Sequence, residues 1–140
     1  FGCKKGLEQK NIGESSNKIL IAGVKSDFKE KVMKQLFDKF SDDYSFEIRP
    51  LKVLRSINYS DYSKILVIDS CEAWMKFNPT VSNHLSKLSE DDKKKLILFI
   101  TAGDPQWQFS SNGVDAITSA SEDDKLDNVV KQIADRIEEK

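Results

Sequence analysis

Few residue types in this chain can carry covalent chemistry. It has one histidine and two cysteines among 140 residues. His84 falls between Val81 and Leu85, near an apolar helical stripe, and reads as a packing or capping residue. With no second histidine and no cysteine pair at ligand spacing, nothing supports a zinc or haem site. Cys71 follows a strand-like run where a reactive thiol would be exposed, but it has no local histidine and no Cys-x-x-Cys partner to activate it. No Ser/His/Asp set suited to hydrolysis is visible in the sequence. The residues with more promise are non-covalent binders. Trp74 and Phe77 follow one apolar run, and Trp107 and Phe109 follow another. Two such aromatic loops at one edge can stack a planar ligand. The alternative is that they pack as a lid over the end of a sheet. The stretch Val24-Lys25-Ser26-Asp27-Phe28-Lys29 offers a hydroxyl, two ammonium groups and the first amides of a helix, which are the ingredients of an anion site.

Three short apolar runs must position these groups. Lys18–Val24, Lys64–Asp69 and Leu96–Ile100 are continuous rather than alternating, the pattern of strands buried on both faces. Phe46–Leu51 is a further strand whose Pro50 suggests an edge, and Val114–Thr118 is a short last strand. Between them, Phe28, Val32, Met33, Leu36, Phe37 and Phe40 recur at helical spacing, with Asp27 and Glu30 placed as a capping box. Asn78-Pro79 starts another helix, with Val81, Leu85 and Leu88 as its apolar stripe. Leu126, Val129, Val130, Ile133, Ala134 and Ile137 form the clearest helical face, capped by Ser121 with Asp124. The charge runs at 91–95 and 122–125 mark solvated loops and helix starts. Alternating strands and helices predict an α/β domain with a mostly parallel sheet of four to five strands. Only Asp104–Gly113 is left to join the last two strands, so the fourth helix is expected to be reduced or missing.

Composition narrows the function classes. Hydrophobic residues make up 39% and charged residues 32%, a globular balance. Twenty-two basic against 23 acidic side chains leave a net charge of -1, with no field to draw the chain to nucleic acid or to an anionic membrane surface.

Over residues 18–139 the chain resembles the flavodoxin-like proteins. The matching features are the strand Ile19–Val24 leading into a helix, the strand Ile65–Asp69 before Lys76-Phe77-Asn78-Pro79-Thr80-Val81, and the strand Leu96–Ile100 ending in Thr101-Ala102-Gly103. The resemblance implies a three-layer sandwich with FMN at the carboxyl edge of the sheet, which is where open α/β sheets bind ligands generally. Carried onto this chain, it implies a cofactor site made of Lys25, Ser26, Trp74, Phe77, Thr101, Gly103 and Trp107. The turn after the first strand departs from the family pattern. It lacks a glycine for close backbone approach, and Asp27 stands where the phosphate would lie. Two like unit charges about 4 Å apart repel by about 4 kcal/mol at an effective dielectric near 20. A helix terminus returns at most about 2 kcal/mol. Asp27 is therefore expected to act as a cap in the anion's place, with the phosphate loop degenerate. Two functions remain open. One is a binding or interaction module that has lost tight FMN binding. The other is an FMN-dependent electron-transfer protein, with a redox partner, using the loops around Trp74 and Trp107. The segment Asp115-Ala116-Ile117-Thr118-Ser119-Ala120-Ser121 resembles the motif on which some electron-transport proteins carry covalent FMN. Its glycine is replaced by Ser119 and its acceptor threonine by Ser121, and a strand end followed by a helix cap explains it better.

Phe1-Gly2-Cys3 resembles the end of a bacterial lipoprotein signal, in which a small residue precedes the cysteine that receives the lipid. The polar stretch Lys4–Asn17 then reads as a flexible tether joining a lipid anchor at Cys3 to a domain over 18–140. This places the domain in the cell envelope, membrane-associated only through that anchor. The alternatives are an incidental cysteine in a frayed terminus of a cytoplasmic protein, or a disulfide with Cys71.

Overall fold

The computed structural model describes residues 6–70, 78–101, 110–111, 114–119 and 122–139. The apolar runs form the strands β2 (Lys18–Gly23), β4 (Lys64–Ser70) and β5 (Leu96–Thr101), flanked by β3 (Ser45–Pro50) and β7 (Val114–Ser119). These five are parallel neighbours in the order β3-β2-β4-β5-β7. Numbered by chain order among themselves, that is 2-1-3-4-5, the flavodoxin-like arrangement. Two short strands extend the sheet beyond the expected four to five. At one end β1 (Lys10–Ile12) pairs antiparallel with β3, and at the other β6 (Ser110–Ser111) pairs antiparallel with β7.

Both faces of the sheet are covered, which is why the central runs are continuous. Side chains alternate sides along each strand. Ile19, Ile21, Leu66, Ile68, Ile97 and Phe99 pack under α1 (Asp27–Phe40) and α4 (Leu126–Glu138). Leu20, Ala22, Ile65, Val67, Leu96 and Leu98 pack with Leu54 and Tyr59, and with Val81 and Leu85 of α2 (Pro79–Ser86). Asn78 caps α2, its Oδ1 accepting from the Thr80 N–H at 2.9 Å, and Pro79 occupies the first turn. The charged run becomes α3 (Glu90–Lys95), with acids in its first turn, lysines in its last and no buried residue. Lys95 donates to the carbonyls of Tyr59 and Tyr62 at 3.0 Å each, tying α3 to the connector. The polar connector forms two 3-10 turns, Leu51–Arg55 and Tyr59–Asp61. Among the described residues, the link between β5 and β7 holds the two-residue β6 and no helix. No described helix is long and apolar enough to cross a membrane.

Three expectations need correction. Residues 6–12 are not a free tether. Lys10, Asn11 and Ile12 pair with Ile48, Glu47 and Phe46, Leu7 is 5% exposed, and its N–H donates to the Gly23 carbonyl at 3.0 Å. The few apolar residues of this stretch, Leu7 and Ile12, are the ones that pack. For the same reason β3 is not the sheet edge. Pro50 lies beyond the β1 pairing, so its missing N–H leaves no gap in that ladder. Finally, Ser26, not Asp27, caps α1. The backbone of Ser26 is extended (φ −159°, ψ 161°), and its Oγ accepts the Lys29 N–H at 3.3 Å. Asp27 and Glu30 stand in the first turn, where their charge suits the helix dipole. The expected Ser121 cap lies outside the described residues; α4 follows a 3-10 turn, Asp123–Lys125, with no side-chain cap at Lys125.

Candidate functional site at the carboxyl edge of the sheet

The strand order reverses at β2, between β3 and β4, so the crevice outside their carboxyl ends is the expected ligand site. The backbones run close together there. A Cβ added at Gly23 would lie 2.5 Å from the Ile68 carbonyl oxygen, so only glycine allows this approach. Gly6 bridges to Val24, which places the N-terminal segment against the end of β2.

The turn from β2 into α1 is internally satisfied. Ser26 Oγ is engaged by the Lys29 amide. The exposed Lys25 ammonium lies 3.6 Å from the Glu30 carboxylate. Asp27 is exposed beside them. In this turn the hydroxyl is a helix cap, the nearest ammonium has a carboxylate, and another carboxylate, that of Asp27, stands in the first turn of the helix.

The second ammonium of this stretch, expected to serve an anion at the turn, is instead buried. Lys29 is 1% exposed, and its ammonium donates to Ser70 Oγ across the edge. Ser70 Oγ in turn lies 3.0 Å from Thr101 Oγ1. Ser70 is the strand partner of Thr101, and Thr101 is the partner of Ser119. Alternation puts all three hydroxyl residues on the face that α1 covers, the face of Ile68, Phe99 and Ile117. Asp69, fully buried, belongs to the opposite face with Val67. A signal for Lys29 was available. It stands three, four and seven residues before Val32, Met33 and Leu36, on the buried stripe of α1, where a charged side chain needs a polar partner.

Of the residues expected to form the site, Lys25, Ser26 and Thr101 do lie at this edge, but Lys25 and Ser26 are engaged within the turn. Trp74, Phe77, Gly103, Trp107, Phe109, Cys71 and Cys3 lie outside the described residues. No described group of three or more His, Cys, Asp or Glu could hold a metal ion.

His84 has the packing role read from the sequence. Its ring stacks on Tyr59 with centroids 5.5 Å apart, Nε2 lies 2.5 Å from the Tyr59 hydroxyl, and Nδ1 lies 3.1 Å from the Leu54 carbonyl. Burial, with the charge of Asp92, raises the Tyr59 pKa, so that hydroxyl keeps its proton and donates. Nε2 is then the acceptor, and Nδ1–H donates to Leu54. Burial pushes the His84 pKa below its usual range, against an opposing contribution from the Leu54 bond. His84 is a neutral brace rather than a ligand. It borders a cleft of about 410 Å³ with Arg55, Thr80 and Lys87. A second groove, about 340 Å³, runs between β1 and α1 over Leu7, Met33 and Phe37.

No family model matches the chain, and no curated protein matches it. Among solved structures, it is similar to oxidised Flavodoxin 2 from Bacillus cereus, with 14% identity and a TM-score of 0.46 over 86% of this chain and 97% of that one. Strand order and layering make this chain a flavodoxin-like α/β sandwich.

Proposed function

We propose that this chain is a flavodoxin-fold binding module that works without FMN. The observation that carries the reading is the closed β2–α1 turn. The Ser26 hydroxyl caps α1 and Lys25 faces Glu30, so the groups that would meet a flavin phosphate are already partnered. The N-terminal segment across the end of β2 supports it further. A fold alone does not bring an activity with it, and in the β2–α1 turn the hydroxyl and the ammonium are already engaged.

Titration of the purified domain with FMN, followed by flavin fluorescence and tryptophan quenching, tests the reading. No saturable change at micromolar protein is expected. Saturable binding overturns it in favour of electron transfer, with the flavin ring held by Trp74 and Trp107. We also propose that the module is held at the bacterial envelope by lipid on Cys3, which the Phe1-Gly2-Cys3 pattern supports. Mass spectrometry of the native protein decides this, a diacyl or triacyl mass on Cys3 being the expected result and an unmodified thiol the contrary one.

A further inference from the structure

We infer that the cleft between the Leu51–Arg55 turn and α2 binds a small organic dianion, a dicarboxylate or a phosphate monoester, through Arg55 and Lys87. This goes beyond the cofactor-free reading and does not depend on it. The walls of the cleft pack on the sheet face opposite α1, away from the turn where a flavin phosphate would lie.

Local sequence sets the walls. Thr80, Asn83 and His84 of α2, with Lys87 at its C-cap, follow helical spacing and so share one face. Opposite them, Leu54 is buried and its neighbour Arg55 stands exposed at the end of its turn. The two walls are tied together. His84 Nδ1–H donates to the Leu54 carbonyl at 3.1 Å, and Nε2 accepts from the Tyr59 hydroxyl. With both ring nitrogens engaged, His84 braces the cleft and adds no charge to it. The space is about 410 Å³, within the roughly 300–1,000 Å³ range of small-molecule sites.

The charge of the cleft is one-sided. Arg55 and Lys87 bring two cations to it, and among the described residues no carboxylate lines it. Lys18, Lys25, Lys31, Lys93 and Lys94 each face a carboxylate at 2.9–3.9 Å, whereas no described carboxylate stands so near Arg55 or Lys87. Asp92 of α3, whose charge reaches His84 and Tyr59, does not line the cleft. Each cation also suits the end of its own helical segment. Helix dipoles do not account for two cations meeting at one cavity, where they repel each other until an anion lies between them. The guanidinium fork takes two oxygens of a carboxylate or phosphate, and the ammonium acts as a point charge for a further oxygen. Among the described residues, Thr80 and Asn83 are hydrogen-bonded through their backbones alone, which leaves a hydroxyl and an amide for the ligand. Leu54 and Pro79 offer apolar surface to its carbon skeleton.

The test is a titration of the isotopically labelled protein at constant ionic strength, with phenyl phosphate, succinate and chloride as separate arms. Amide shifts of Thr80, Asn83, His84 and Lys87 are the readout, and those of Ser26 and Asp27 report on the β2–α1 turn. Phenyl phosphate or succinate should saturate the α2 shifts in the millimolar range while chloride does not, and the better of the two names the subclass. Arg55→Gln and Lys87→Gln, both at exposed positions, should each weaken binding about tenfold, the effect of losing one hydrogen bond to a charged group. Circular dichroism confirms the fold of both. Equal responses in all three arms, or unaltered binding in either variant, overturn the inference. Phenyl phosphate shifts confined to Ser26 and Asp27 overturn this site and count against the cofactor-free reading as well. Absent α2 shifts with an unmoved turn overturn this site alone.

Discussion

Replacing Ser26 separates a structural hydroxyl from a ligand-binding one. In the folded chain its Oγ accepts the Lys29 N–H at 3.3 Å and so satisfies one of the orphan amides of α1. Loss of a serine cap costs about 0.5–2 kcal/mol. The 3.3 Å separation is at the long end for such a bond, which puts this cap in the lower half of the range, about 0.5–1 kcal/mol. For a chain of this size, 1 kcal/mol moves Tm by roughly 2–4 °C. Ser26→Ala should therefore lower Tm by roughly 1–4 °C in the absence of any ligand, and the urea midpoint should fall with an unchanged slope. Ser26→Asp supplies an equivalent cap and should stay within about 0.3 kcal/mol of the parent, while Ser26→Gly should lose only a few tenths. The comparison is made by urea unfolding of the four proteins side by side. If Ser26→Ala is as stable as the parent, the hydroxyl is not a cap, and the case against a phosphate in this turn loses its main support.

Leu7→Ala examines the packed N-terminal segment. Leucine-to-alanine changes in cores cost about 2–5 kcal/mol, and a side chain beside the β1–α1 groove should fall at the lower end. A loss under about 0.5 kcal/mol by urea unfolding would restore the tether. The pH dependence is set by His84 and Tyr62. The folded His84 pKa lies below the usual 6.5, so its contribution is present above pH 6.5 and is lost as pH falls through the folded pKa. The single histidine resonance should titrate below 6.5, and a midpoint at or above 6.5 refutes the neutral-brace assignment. At the alkaline end, burial and the Glu47 bond push Tyr62 up to about 12, so stability should fall as pH rises from about 10 to 12, less steeply in Tyr62→Phe.

The elements were legible because their signals are local. Ile19–Ala22, Ile65–Ile68 and Leu96–Ile100 are continuous apolar runs, which only a strand covered on both faces requires. The stripes of α1 and α4 repeat at helical spacing and became the buried faces of those helices. The misreadings came from competing local rules. Asp27 with Glu30 fits a capping box, yet Ser26 one residue earlier is an equally good cap and is the one used. Lys10–Ile12 looked like linker because a three-residue strand at a sheet edge carries too few apolar residues to show a period.

By itself the sequence determined the alternation of strands and helices and the two-sided burial of the sheet. Hydrophobic period and residue type decide those matters within a few residues of each position. Only the tertiary structure decided the contacts at the sheet edge. Whether Lys29 reaches Ser70, and Ser70 reaches Thr101, depends on register between segments 41 and 31 residues apart. Register across parallel strands is fixed by how the two faces of the sheet pack, since a slip of one residue would turn Ser70 to the other side. The Ser26 hydroxyl likewise looks free in the sequence and is engaged in the fold, because the helix that needs its oxygen begins one residue later.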